Sequence, residues 1–120
     1  MSNGNVKAEP KTRKEYLGCI EDLQLRSMDP NLSLPQRVAL LNRSQELRAQ
    51  LVEIEAARFN KASANYIEAI KTLNQTITDL RAAAKRIDKA IALLDTAGKV
   101  FAAADKLLTE AVKHFPIGPF

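Results

Sequence analysis

The sequence predicts an all-α fold. It is an antiparallel helical bundle of three helices, or four if the chain turns at Gly98, with one long heptad-patterned helix at its C-terminal end. Three observations predict it. Good helix formers dominate the composition: alanine, leucine, lysine, arginine, glutamate and glutamine. Between Gln36 and Phe115 there is no proline, and Gly98 is the only glycine. From Tyr66 onward, apolar positions recur alternately four and three residues apart. The series is Tyr66, Ile70, Leu73, Ile77, Leu80, Ala84, Ile87, Ile91, Leu94, Gly98, Phe101, Asp105, Leu108, Val112 and Phe115, and twelve of these fifteen are large and apolar. That pattern is the seam of a coiled coil or bundle. A helix cannot bury such a seam alone, so it needs a partner in this chain or another.

At 120 residues the chain is expected to form one domain. Residues 1–11 read as a flexible N-terminal tail, because Gly4, Pro10 and polar neighbours give no period. Residues 12–115 form the bundle domain. Residues 116–120 form a short apolar tail after Pro116, which ends the last helix.

The first helix is expected over about 12–28. Thr12 and Glu15 have capping-box spacing, and Tyr16, Leu17, Ile20 and Leu23 supply the apolar stripe. Asp29-Pro30-Asn31 then stops it. Ser33 is the next N-cap, with Gln36 at the reciprocal capping position and Pro35 tolerated in the first turn. That helix runs over about 34–59. Leu40, Leu47, Leu51 and Ile54 share one face, while Val38 and Leu41 extend the apolar set. Between Ile54 and Phe59 the apolar phase slips, the spacing being five residues rather than three or four, and a turn near 60–65 is expected to fold the second helix back on the third. The alternative is a continuous helix with a discontinuity in its seam. The third helix is expected over about 64–114, because the heptad phase passes through Gly98 without a slip. The competing expectation is a turn at Gly98, with that glycine ending one helix and a shorter one following.

Enzymatic chemistry is not expected. There is one histidine, one cysteine, no catalytic dyad spacing, no glycine-rich phosphate loop and no His/Cys ligand cluster. No catalytic, cofactor-binding or metal-ligating residue is nominated, and neither a cofactor nor a small-molecule substrate is implied. Cys19 sits between apolar residues and reads as a small buried hydrophobe. His114 lies in a last helical turn, where a cap is expected. One cysteine excludes an internal disulfide, and no apolar stretch approaches the ~18 residues of a spanning helix. With no secretory signal visible, a cytoplasmic location is expected, non-classical secretion being the alternative.

The formal charge of +4 is mild. Arg81, Lys85 and Lys89, with Arg86 beside them, form a basic helix face that would suit an anionic partner such as a phosphate backbone. Without tryptophan and with few aromatics, nucleic-acid binding is a secondary expectation. The segment from Ala90 to Val112 is apolar over most of its circumference. Leu93, Val100, Ala104, Leu107 and Ala111 form a second stripe beside the heptad seam. A helix this apolar is a bundle's central helix, a partner-binding element or a membrane-surface element.

The leading functional expectation is a non-enzymatic helical interaction module: an adaptor, chaperone, immunity-type inhibitor or assembly subunit that binds a protein partner or itself. A helix over 64–114 would be about 75 Å long, against about 26 and 38 Å for the other two. Its uncovered part would present Phe101, Leu108, Val112 and Phe115, with Ile117 and Phe120, as the partner surface. A turn at Gly98 would instead make the same residues core.

Phe101-Ala102-Ala103-Ala104-Asp105 is similar to the aromatic-x-x-x-acid export signal of type VII secretion substrates and their small helical partner proteins. The resemblance covers five residues and implies a secreted or membrane-active helical hairpin. The Trp-x-Gly turn of the main substrate family is absent, since the chain has no tryptophan.

Overall fold

A computed structural model describes residues 5–86 and 90–112. Four helices pack together: α1 (Pro10–Ser27), α2 (Leu34–Ala56), α3 (Ala64–Ala84) and α4 (Ala90–Thr109). Two-residue strands, β1 (Asn5–Val6) and β2 (Phe59–Asn60), pair antiparallel with Asn5 opposite Asn60 and Val6 opposite Phe59. The all-α expectation holds. The expected helix over 64–114 does not, because α3 ends at Ala84 and Lys85 and Arg86 lie outside any helix.

The α2 start follows its sequence signals. The Ser33 hydroxyl accepts from the Gln36 N–H, and the Gln36 side chain accepts from the Ser33 N–H. At its other end Ala57 is extended, and a turn after Asn60 leads to Ser63, whose hydroxyl caps α3 at the Tyr66 N–H. The turn expected near 60–65 is therefore present.

The start of α1 differs from expectation. The helix begins at Pro10, where the missing N–H costs nothing, and Thr12 lies inside it. The buried Thr12 hydroxyl donates to Asn74 Oδ1 on α3 at 2.7 Å, so it does not cap α1. Nor are residues 5–11 a tail. Ala8 is fully buried, its carbonyl accepts from Arg13 Nε at 3.0 Å, and Asn5–Val6 is paired with β2.

Cross-helix contacts set the directions. Tyr16 meets Gln50, and Ser27 meets Arg37, so α1 and α2 are antiparallel. Thr12 meets Asn74, Cys19 meets Ile77, and Arg26 meets Ala84, so α1 and α3 run the same way. The bridge from Phe59 to Ala111 puts the end of α4 beside the start of α3, making those two antiparallel. The fold is thus two antiparallel hairpins laid side by side, α1 against α3 and α2 against α4.

The core runs the length of the bundle. It includes Tyr16, Ile20 and Leu23 of α1, Leu40, Leu47 and Ile54 of α2, Leu73, Ile77 and Leu80 of α3, and Leu93, Val100 and Leu107 of α4. Each fully buried leucine or isoleucine contributes about 1.5–3 kcal/mol. One end is closed by Ala8 and by Phe59, whose ring stacks on Tyr66 with centroids 5.0 Å apart.

Two polar devices tie the hairpins together. The Tyr16 hydroxyl donates to Gln50 Oε1, and Gln50 Nε2 donates to the Phe101 carbonyl at 2.9 Å, linking α1, α2 and α4. The buried Arg26 side chain donates to the carbonyls of Ala84 at 3.1 Å and Arg86 at 2.9 Å. Those carbonyls lie at and beyond the end of α3, where helical partners run out. Arg26 thus caps α3 from α1, at the point where the long helix expected from sequence ends.

Candidate interaction surfaces

The break after Ala84 decides where the expected partner residues lie. It folds α4 back along α3, so α4 does not project beyond its neighbours. Phe101 is half-buried against the core, with the Arg43 guanidinium 5.0 Å from its ring centroid, a cation–π arrangement. Leu108 is half-buried against the same core. Val112 is half-buried, and its N–H donates to the Arg58 carbonyl at 2.7 Å. Phe101 and Leu108 thus lie at the margin of the intramolecular core, each still partly exposed. Phe115, Ile117 and Phe120 lie outside the described residues. Gly98, the expected turn, sits within α4, half-buried under Arg43. In the motif spanning Phe101 and Asp105 the aromatic is held in this way, while the acid is exposed.

The basic face is divided. Arg81 crosses to α1, where its Nη1 lies 3.0 Å from Glu15 and its Nε 2.7 Å from Asp22. Gly18 makes this approach possible, since a Cβ there would stand 1.8 Å from Arg81 Nη1. A glycine inside a helix costs about 1 kcal/mol against alanine, and here the space it leaves holds a guanidinium. Burial raises the Asp22 carboxyl pKa, and the adjacent Arg81 charge and hydrogen bond only partly oppose this. Lys85 and Arg86 are exposed beyond the end of α3, and Lys89 lies outside the described residues. Two carboxylates of α1 therefore hold Arg81.

Two exposed features remain, and sequence reasoning identified neither as a site. The first is the outer face of α2. Leu34, Val38, Leu41 and Val52 share one side of that helix, turned by roughly 100–140° from the buried Leu40, Leu47 and Leu51, and are 69%, 47%, 41% and 63% exposed. The signal was the presence of Val38 and Leu41 beside Leu40, more apolar residues than one buried stripe accommodates. Met28, at the end of the helix beside it, is also exposed.

The second is a groove of about 610 Å³ between α3 and α4. Its floor is made of small residues, Ala69 and Thr72 from α3 with Ala102 and Ala103 from α4. Small side chains leave the gap between the two helices unfilled. Lys99, Lys106 and Glu110 stand on the α4 side and Glu68 on the α3 wall. The alanine runs in the sequence were the available signal, but their high helix propensity accounts for them equally well.

Among the described residues no cluster of histidine, cysteine, aspartate and glutamate is arranged to hold a metal ion, and no helix is long and apolar enough to cross a membrane. Cys19 is buried, and burial pushes its thiol pKa up to about 12. The Tyr16 hydroxyl is raised as well, again by burial. Neither group is an ionised nucleophile near neutral pH. No family model matches this chain, and no curated protein or solved structure matches it.

Proposed function

We propose that this chain is a non-enzymatic helical protein–protein interaction module, of the adaptor, chaperone, inhibitor or assembly-subunit kind, working through helix–helix contact. The observation that carries the reading is the outer face of α2. Single exposed apolar residues are common on protein surfaces and need no explanation. Four on one side of one helix, at positions 34, 38, 41 and 52, form the kind of anchor row that a second helix or a groove receives. The rest of the bundle supports this role by holding α2 rigidly. Its inner face is fully packed, its start is capped by Ser33 and Gln36, and Gln50 fastens it to both α1 and α4. A rigid element loses little conformational freedom on binding.

Photo-crosslinking in cells of the source organism tests this. A photoreactive residue is placed at Val38 or Val52, and control residues at the exposed Lys71 and Gln75 of α3. The proposal expects cross-links to another polypeptide, or to a second copy, concentrated at the two α2 positions. Equal or no cross-linking at all four positions would sink it.

A further inference from the structure

The outer face of α2 and the groove between α3 and α4 match each other. We infer that the groove receives α2 of a second copy of this chain, so that the molecule assembles with itself. The inference rests on the interaction reading and adds the identity of the partner.

The first ground is charge spacing. Lys99 and Lys106 stand seven residues apart on the α4 wall of the groove, whose other charged lining residues are Glu68 on α3 and Glu110 at the far end. Glu46 and Glu53 stand seven residues apart on α2, both exposed. Seven residues are two helical turns, about 10 Å on either helix, so both pairs can meet at once. Glu15 and Asp22 have the same spacing, but they hold Arg81.

The second ground is size. Next to Glu46 and Glu53, the outward side of α2 carries Ala49, Val52 and Ala56, all exposed. The groove floor is alanine and threonine. Small residues on both sides let two helices approach to the 8–10 Å typical of packed pairs. The groove extends from Asn65 to Thr76 along α3, about 16 Å or three turns, which is long enough for the segment of α2 from Glu46 to Glu53.

Existing pairings do not stand in the way. Glu46 pairs with Arg43 at 2.8 Å and Lys99 with Asp95 at 3.5 Å, both on the surface. Exposed pairs of this kind are of low strength, so exchanging them for intermolecular pairs costs little. The two surfaces are different patches of the molecule. The contact is therefore head-to-tail, and it closes into a ring or continues according to the rotation it imposes.

The test is the solution mass of the full chain by sedimentation at low salt, across a range of concentrations. The wild-type mass should rise with concentration from 13.3 kDa towards twice that value or more. Glu46→Lys with Glu53→Lys should weaken association about tenfold or more, because two attractive pairs become repulsive. Lys99→Glu with Lys106→Glu should do the same. An equimolar mixture of the two double variants should associate again, since the lysines on α2 of one then face the glutamates in the groove of the other. All four substitutions are at exposed positions, and unchanged circular-dichroism melting confirms the fold. A wild type monomeric at every concentration overturns the inference. So does association that survives in both variants, or a mixture that stays monomeric. If the wild type is monomeric while Val38 and Val52 cross-link to a different protein, self-assembly is overturned and the interaction function stands. If neither occurs, both fail.

Discussion

Helices α3 and α4 come from one continuous heptad pattern, yet they use it differently. In α3 the pattern is the core: Tyr66, Ile70, Leu73, Ile77 and Leu80 are all buried. In α4 the same phase falls on the edge. Ile91 is 76% exposed, Leu94, Phe101 and Leu108 are half-buried, and Asp105 is in solvent. The buried set in α4 is Ala90, Leu93, Ala97, Val100, Ala103, Ala104 and Leu107, mostly one residue earlier in the chain. One residue rotates a helix face by about 100°. A seven-residue period can therefore pass through a helix break with its count intact while the face it marks turns away. Because α4 is apolar over most of its circumference, two adjacent stripes each looked like a seam. It needs that width because it packs on both α2 and α3.

Aspartate substitutions should separate the two stripes, with the largest effects in the core. Leu73→Asp in α3 and Leu107→Asp in α4 each bury a charge with no partner, and each should cost at least about 4 kcal/mol by chemical denaturation. Leu108→Asp, adjacent but half-exposed, should cost clearly less than Leu107→Asp. Equal losses at 107 and 108 would mean that α4 is rotated from the position described.

The second test separates the contacts that α1 makes with the two helices. Cys19 faces α3, where its Sγ lies 3.9 Å from the Ile77 carbonyl, whereas Tyr16 reaches α4 through Gln50. Tyr16→Phe strands the buried Gln50 oxygen and should cost about 1–3 kcal/mol. The pH dependence follows from the raised thiol. In the unfolded chain Cys19 ionises near its ordinary 9.0, but in the fold near 12. The folded form then holds the extra proton, so stability is intact below pH 9 and falls as pH rises towards 12. Cys19→Ala should reduce that alkaline decline, leaving the part due to the buried Tyr16 hydroxyl, as measured by denaturation at pH 8 and pH 11. An unchanged slope would contradict the assigned burial.

A smaller effect is expected where α3 is tethered to α1. In the wild type, Gly18→Ala gains helix propensity but displaces Arg81 from Glu15 and Asp22, and the two should nearly cancel. In an Arg81→Ala background only the gain remains, so Gly18→Ala should stabilise by about 1 kcal/mol. A double-mutant cycle showing no coupling would mean that the guanidinium does not occupy the space above Gly18. Smallest of all, Ile91→Lys should change stability by no more than about 0.5 kcal/mol, although it lies in phase with the seam of α3.

What the sequence made legible was local. The Ser33–Gln36 cap, the stop at Asp29-Pro30, the turn before Ala64 and the buried faces of α2 and α3 all depend on residues within a few positions of one another. The end of α3 does not. No proline or glycine lies between Leu80 and Ala97. The chain leaves the helix where Arg26, some sixty residues earlier, donates to the carbonyls of Ala84 and Arg86. The cluster of Arg81, Lys85, Arg86 and Lys89 was a partial sign, since cations gather at helix C-termini and repel one another at this spacing. Thr12 likewise matched a capping box, but its hydroxyl is used by Asn74 on α3. The outer row of α2 and the groove between α3 and α4 were hidden for a related reason. Which of several apolar or small faces remains uncovered depends on how the hairpins pair.

The measurement that tests the break most directly is the distance between the start of α3 and the end of α4. Spin labels at Ile67→Cys and Thr109→Cys, both exposed, on a Cys19→Ala background, can be read by pulsed electron–electron double resonance in dilute, low-association conditions. With α4 folded back along α3, both labels lie at the same end of the bundle, and a distance of about 15–30 Å is expected, given helix axes 8–10 Å apart plus the label arms. An unbroken helix would hold them about 63 Å apart, and a distribution centred near that value would contradict the account.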